Sequence, residues 1–202
     1  MRDRENIQAL LELHPDYIGF IFYERSVRYV GEQFDPAVTA LVPKDTGKVG
    51  VFVNADPDDI IRKIDQYGLD YVQLHGRESA AYCTKLANEG ARVIKAFSVD
   101  DTFDFSGLDE YNDSCCYFLF DTRTPSVGGS GRKFNWQILK KYTLAKSFFL
   151  SGGIGPDDAE ETTGLKHLNI HALDINSRFE TRPGHKNIDM VRKFMKEIRI
   201  NN

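Results

Sequence analysis

The stretch VGVFVNADPDDIIRKIDQYGLDYVQLHG, Val49–Gly76, sets the fold class. It opens on a short run rich in β-branched and aromatic residues (VGVFVN, Val49–Asn54). It then passes through a segment whose Ile60, Ile61, Ile64 and Tyr67 share one helical face, and closes on a second such run, YVQLH, Tyr71–His75. Both runs read as strands buried on two faces, the pattern of a parallel sheet covered by helices. Two parallel strands joined through a helix require a right-handed crossover.

Working outward, the same unit recurs. YIGFIF (Tyr17–Phe22), VIKAF (Val93–Phe97), YFLFD (Tyr117–Asp121), FFLSG (Phe148–Gly152) and HALDIN (His171–Asn176) bring the strand candidates to seven. Ile188, Val191, Phe194, Met195 and Ile198 form a last helical face. Strand starts roughly 20 to 30 residues apart predict a single (β/α)8 TIM barrel over residues 1–202, with a doubly wound sheet as the structural alternative. The first periodic segment is helical, however: Ile7, Leu10 and Leu11 precede any strand. Seven strands against about eight helices predict a barrel whose first strand is missing from this chain, with two edges of unpaired backbone.

Composition narrows the function. The 202 residues carry 26 Lys and Arg against 30 Asp and Glu, a net charge of -4, which argues against a nucleic-acid binder. No apolar run has signal-peptide or membrane-span length, so the expectation is a cytoplasmic protein that does not engage membranes. Cys83, Cys115 and Cys116 show neither metal-ligand spacing nor a disulfide framework and read as reduced, semi-buried side chains. His14, His167, His171 and His185 show no ligand spacing either, so no metal is expected.

In parallel barrels chemistry collects where strands end, here at Asn54, His75, Asp121, Ser151 and Asn176. Asp121 closes a very apolar strand and opens a loop containing Gly128, Gly129, Ser130 and Gly131, a setting for a general acid or simply for a cap on the next segment. FFLSGGIGPDD places Gly152 and Gly153 in a late turn, and Ser177 and Arg178 follow the next strand. Two such turns are where many barrels hold phosphate. Gly76 lets the His75 imidazole enter the mouth, where it is a pocket residue or a satisfied structural histidine. Arg28 offers a bidentate contact to a carboxylate.

Taken together, GFIFYERSVRYV, VGVFVN, YVQLHGRE, VIKAF, FLFDTRTPSVGGSGRKFNW, FFLSGGIGPDD and ALDINSRFETRPGHKN resemble phosphoribosylanthranilate isomerases over essentially the whole chain. The resemblance implies a (β/α)8 barrel performing an Amadori rearrangement of an anthranilate-bearing phosphosugar in tryptophan biosynthesis, without cofactor or metal, as a monomer or homodimer. It implies Asp121 as general acid and Arg28 as partner of the anthranilate carboxylate, with Val27 where the family has proline. It further implies Gly152, Gly153, Ser177 and Arg178 around the phosphate, Gly128, Gly129, Ser130 and Gly131 as the active-site loop, and His75 and Asp174 lining the pocket.

One departure matters most. The family's general base is a cysteine in a Cys-Gly pair ending the first strand, and Met1–Asn6 look like the residues that follow that pair. Cys116 precedes Asp121 by five strand residues, roughly 16 Å at about 3.3 Å each, toward the opposite barrel end. This chain is therefore expected to be impaired. Two rivals are a non-catalytic phosphosugar-binding barrel and another phosphosugar isomerase or synthase. The latter needs a carboxylate pair or a strand-borne lysine, and Lys95 is the one lysine candidate.

Overall fold

Asp56 accepts a hydrogen bond from the Asp58 amide and Pro57 occupies the first turn, so helix α3 (Pro57–Tyr67) starts where its sequence caps it. It stops at Gly68, whose φ of +57° is the left-handed conformation that ends helices. Ile60 and Tyr67 are buried, and Ile61 and Ile64 pack against the same core. The flanking strands β2 (Gly47–Phe52) and β3 (Tyr71–Leu74) pair in parallel, Val49 opposite Tyr71 and Phe52 opposite Leu74, so this unit is the crossover its periodicity predicts.

The computed structural model describes residues 1–122 and 133–200. Strand β1 (Tyr17–Ile21) precedes β2, and β3 is followed by β4 (Val93–Val99), β5 (Tyr117–Thr122), β6 (Phe148–Leu150) and β7 (Ile170–Leu173). These seven form one parallel sheet in sequence order, curled as in an α/β barrel, with β1 and β7 as its edges. Every strand lies where its apolar run placed it. Helix α1 (Arg4–Leu11) precedes the sheet, and α2 (Pro36–Thr39), α4 (Ala80–Asn88), α5 (Ala159–Thr163) and α6 (Ile188–Ile200) cover it with α3. The connections after β4 and β5 are 3-10 segments, Ser106–Tyr111 and Trp136–Lys141. A short hairpin, β8 (Glu180–Arg182) with β9 (His185–Lys186), lies between β7 and α6.

Strand parity divides the core in two. Val49, Tyr71, Ile94, Ala96, Leu119 and Phe149 face the barrel interior, with Tyr17, Val51, Tyr117 and Ala172 against them. The alternate residues, among them Phe20, Phe52, Leu74, Phe118, Phe120 and Phe148, face the helices. Lys95, between Ile94 and Ala96, therefore points outward. It is 3% exposed and bonded to Glu78 and to the carbonyls of Leu74, Gly76 and Ala96. It is no pocket lysine, so the rival is left without its lysine candidate. The cysteines also divide: Cys83 and Cys115 are buried and Cys116 is exposed, so none is semi-buried as expected. Among the described residues no helix is long and apolar enough to cross a membrane.

Candidate active site

The sheet's hydrogen bonding continues one residue past the strands and sets the polar residues there. The amides of His75, Ser151 and Asp174 donate to the carbonyls of Phe52, Phe120 and Leu150 on the preceding strands, each at 2.8 Å. Because parity is kept, His75 follows Tyr71 and Gln73 on the interior face, Asp121 follows Tyr117 and Leu119, Ser151 follows Phe149, and Asp174 follows Ala172. Four polar side chains thus converge above an apolar floor.

Asp121 and His75 meet directly, Nε2 lying 3.1 Å from Oδ2, while the Thr122 amide donates to Oδ1 at 2.8 Å. The Gln73 amide nitrogen stands 2.8 Å from the other ring nitrogen of His75, Nδ1. Gly152 adopts φ +87° against this carboxylate, and a Cβ there would lie 2.3 Å from Thr122 Oγ1 and 3.0 Å from Asp121 Oδ1. Glycine is required on both counts. Beneath His75, Glu78 accepts from the amides of Asn54 and Gly76, tying the β2 and β3 turns together.

On the far side, Ser151 Oγ donates to Asp174 Oδ2 at 3.2 Å. Burial, with the nearby Asp121 charge, pushes the Asp174 carboxyl above the usual aspartate range. Lys186 from β9 donates to the Asn176 side chain and to the carbonyls of Ile175 and Asn176. Burial pulls its ammonium down to about 8. Arg28 is buried and turned into the molecule, its Nε and Nη2 on both oxygens of Glu180 at 2.7–3.0 Å. Gly153, φ +71°, and Ser177 face the same cavity, whereas Arg178 is exposed, lies over Gly155 and reaches the Gly153 carbonyl at 3.4 Å.

These residues border one cavity of about 800 Å³ that runs down between β1 and β7. Arg28, His75, Asp121, Gly152, Gly153, Asp174 and Ser177 all line it, so the sites read separately from the sequence come together. Gly128, Gly129, Ser130 and Gly131 lie outside the described residues. Sequence reasoning missed Glu180 and Lys186, which arrive from the hairpin after β7. It passed over Gln73, which its parity with His75 in YVQLH would have put inside. Among the described residues no cluster of three or more His, Cys, Asp or Glu is placed to hold a metal.

A parallel α/β barrel with carboxylates, an imidazole and an arginine around a strand-end cavity belongs to the class of barrel enzymes that work on small polar molecules. The family model for N-(5'-phosphoribosyl)anthranilate (PRA) isomerase matches residues 1–197, and the chain belongs to that family. It is 44% identical over 202 residues to the N-(5'-phosphoribosyl)anthranilate isomerase of Parabacteroides distasonis, covering 98% of this chain and 90% of that one. Its fold superposes on the crystal structure of the Thermotoga maritima phosphoribosyl anthranilate isomerase with a TM-score of 0.85 at 31% identity, covering 98% and 95% of the two chains. A phosphoribosyl anthranilate isomerase solved in complex with reduced 1-(o-carboxyphenylamino)-1-deoxyribulose 5-phosphate matches with a TM-score of 0.81 at 28% identity and the same coverage.

Proposed function

We propose that this cavity isomerises N-(5'-phosphoribosyl)anthranilate to 1-(2-carboxyphenylamino)-1-deoxyribulose 5-phosphate, a step of tryptophan biosynthesis. The chain is an isomerase by family. Asp121 protonates the furanose ring oxygen, and the ring opens to a Schiff base. Loss of the sugar C2 proton then gives an enol that becomes the ketone. Arg28 presents the guanidinium edge not used by Glu180 to the anthranilate carboxylate, while the turns at Gly152–Gly153 and Ser177 receive the phosphate. Asp174 and His75 complete the wall around the sugar.

The observation that carries this reading is the placement of Asp121. It is an interior carboxylate at the end of an apolar strand, hydrogen-bonded by His75 and facing the cavity that Arg28 and the turns at Gly152–Gly153 and Ser177 line. The C2 proton needs a base, and none of Cys83, Cys115 or Cys116 lines the cavity. The test is turnover of N-(5'-phosphoribosyl)anthranilate by Asp121→Asn. Loss of about 10² to 10⁴ in kcat is expected, since the amide cannot deliver the proton. Unchanged turnover would overturn the assignment of the acid.

A further inference from the structure

We propose that Gln73 is a positioning residue that fixes the tautomer of His75 and so keeps the proton of Asp121 for the substrate. The inference rests on Asp121 being the acid of the reaction above. An amide nitrogen carries two N–H donors and no lone pair to offer, so Gln73 Nε2, 2.8 Å from His75 Nδ1, must donate, and Nδ1 must accept. The neutral ring then has its one proton on Nε2, the nitrogen 3.1 Å from Asp121 Oδ2. His75 therefore meets Asp121 as a donor.

The direction of that bond decides what the pair can do. When Asp121 gives its proton to the ring oxygen, the carboxylate left behind is held by His75 Nε2–H and by the Thr122 amide at 2.8 Å. The opposite tautomer would turn a lone pair toward Asp121 and compete with the substrate oxygen for the same proton. Gln73 is built to prevent this. It is 7% exposed, paired in register with Val51 on one side and Ile94 on the other, and two residues from His75 on the same strand face. A polar side chain buried inside a barrel is costly unless its amide is bonded, and here the bond it makes is to the imidazole.

The experiment is a long-range proton–nitrogen correlation on protein labelled with 15N-histidine, alongside kinetics, for the unaltered chain, Gln73→Glu and Gln73→Met. The unaltered chain is expected to show a bare Nδ1 and a protonated Nε2. Glutamate, an acceptor, draws the proton to Nδ1 and lowers kcat by about 10- to 100-fold with little change in KM, less than the loss of a proton-transfer group itself. Methionine, neither donor nor acceptor of consequence, mixes the two tautomers and falls between. A proton on Nδ1 in the unaltered chain, or a Gln73→Met spectrum identical to it, overturns the proposal. If the spectra behave as expected but Asp121→Asn keeps full turnover, the acid assignment fails instead and the tautomer assignment stands.

Discussion

Arg28, in the loop after β1, and Glu180, opening the β8–β9 hairpin, form a buried ion pair across 152 residues of sequence, with three nitrogen–oxygen contacts of 2.7–3.0 Å. The pair ties the mouth of the cavity together between the first and last strands of the sheet. It also accounts for an arginine that is only 8% exposed, since two of its nitrogens are spent on the protein. Removing one partner of such a pair strands the other charge in the interior, a cost of about 3 to 5 kcal/mol. Glu180→Gln is expected to lower the denaturation midpoint and to raise KM as Arg28 loses its orientation. A midpoint and KM both unchanged would show that the pair holds nothing in place.

The same pair predicts acid sensitivity. Burial works to raise the Glu180 carboxyl, but Arg28, Lys186 and the Gly184 amide outweigh it and hold the group below the ordinary glutamate value. A carboxylate whose folded value is depressed contributes stability that is present above its unfolded value and is lost as pH falls through the folded one. Unfolding free energy measured by denaturant at pH 7 and then below pH 4 should therefore drop more steeply for the unaltered chain than for Glu180→Gln. Parallel curves would remove Glu180 from the acid response.

Asp174 has the opposite sign. Burial and the neighbouring Asp121 raise its carboxyl, so its contribution is complete below the unfolded aspartate value and declines as pH rises through the folded one. An asparagine in its place would keep a partner for the Ser151 hydroxyl without the charge. Asp174→Asn should thus be more stable than the unaltered chain at pH 7 and equal to it at pH 3, while turnover falls if the cavity this side chain borders is the one proposed to hold the sugar. A variant less stable at pH 7 would show that the carboxylate is held by more than Ser151 and Lys186.

How much of this was legible in the sequence follows from the range of the forces involved. The strands and helix α3 are local: apolar runs, a proline in a first turn and a glycine at a helix end set them before any tertiary contact forms. Asp121, His75 and Gly153 were legible for a related reason, because each stands at or just past the end of such a run and strand parity fixes its side, whereas the end of the last run was read at Asn176 and Asp174 entered only through the family resemblance. Glu180 and Lys186 were not. They reach the cavity from a hairpin whose β8 and β9 are three and two residues long, too short to leave a period in the sequence. The Arg28–Glu180 contact spans 152 residues of sequence. The helices after β4 and β5 tightened into 3-10 segments over six residues each, lengths at which periodicity cannot separate the two forms.

Gly152 gives a sharper test of the acid's surroundings. Any side chain there meets φ +87° and two atoms of Thr122 within 2.5 Å, one of them backbone. Because the Thr122 amide is a hydrogen-bond donor to Asp121, relief of the clash must move that donor. Gly152→Ala is expected to cost about 1 to 3 kcal/mol in stability and to lower kcat more than KM. A variant that loses stability at constant kcat would separate the turn from the chemistry.

Resemblance to the family calls for a cysteine in a Cys-Gly pair at a strand end, and the three cysteines of these 202 residues all stand outside the cavity. Meanwhile the cavity extends between the edge strands β1 and β7, bordered by Gly19, Ile21, Ala172 and Leu173 and by Phe194 of α6, and the Met1 amino group donates to the Gly19 carbonyl on that edge at 2.6 Å. An apolar strand fused ahead of Met1 and ending in Cys-Gly would pair with that edge and carry its thiol toward the mouth. The 202-residue chain should turn over about 10² to 10⁴ times more slowly than the fusion, and a fusion ending in Ser-Gly should gain stability without the rate. Equal rates for all three would mean that a group already lining the cavity takes the C2 proton, with Asp174 the first residue to test.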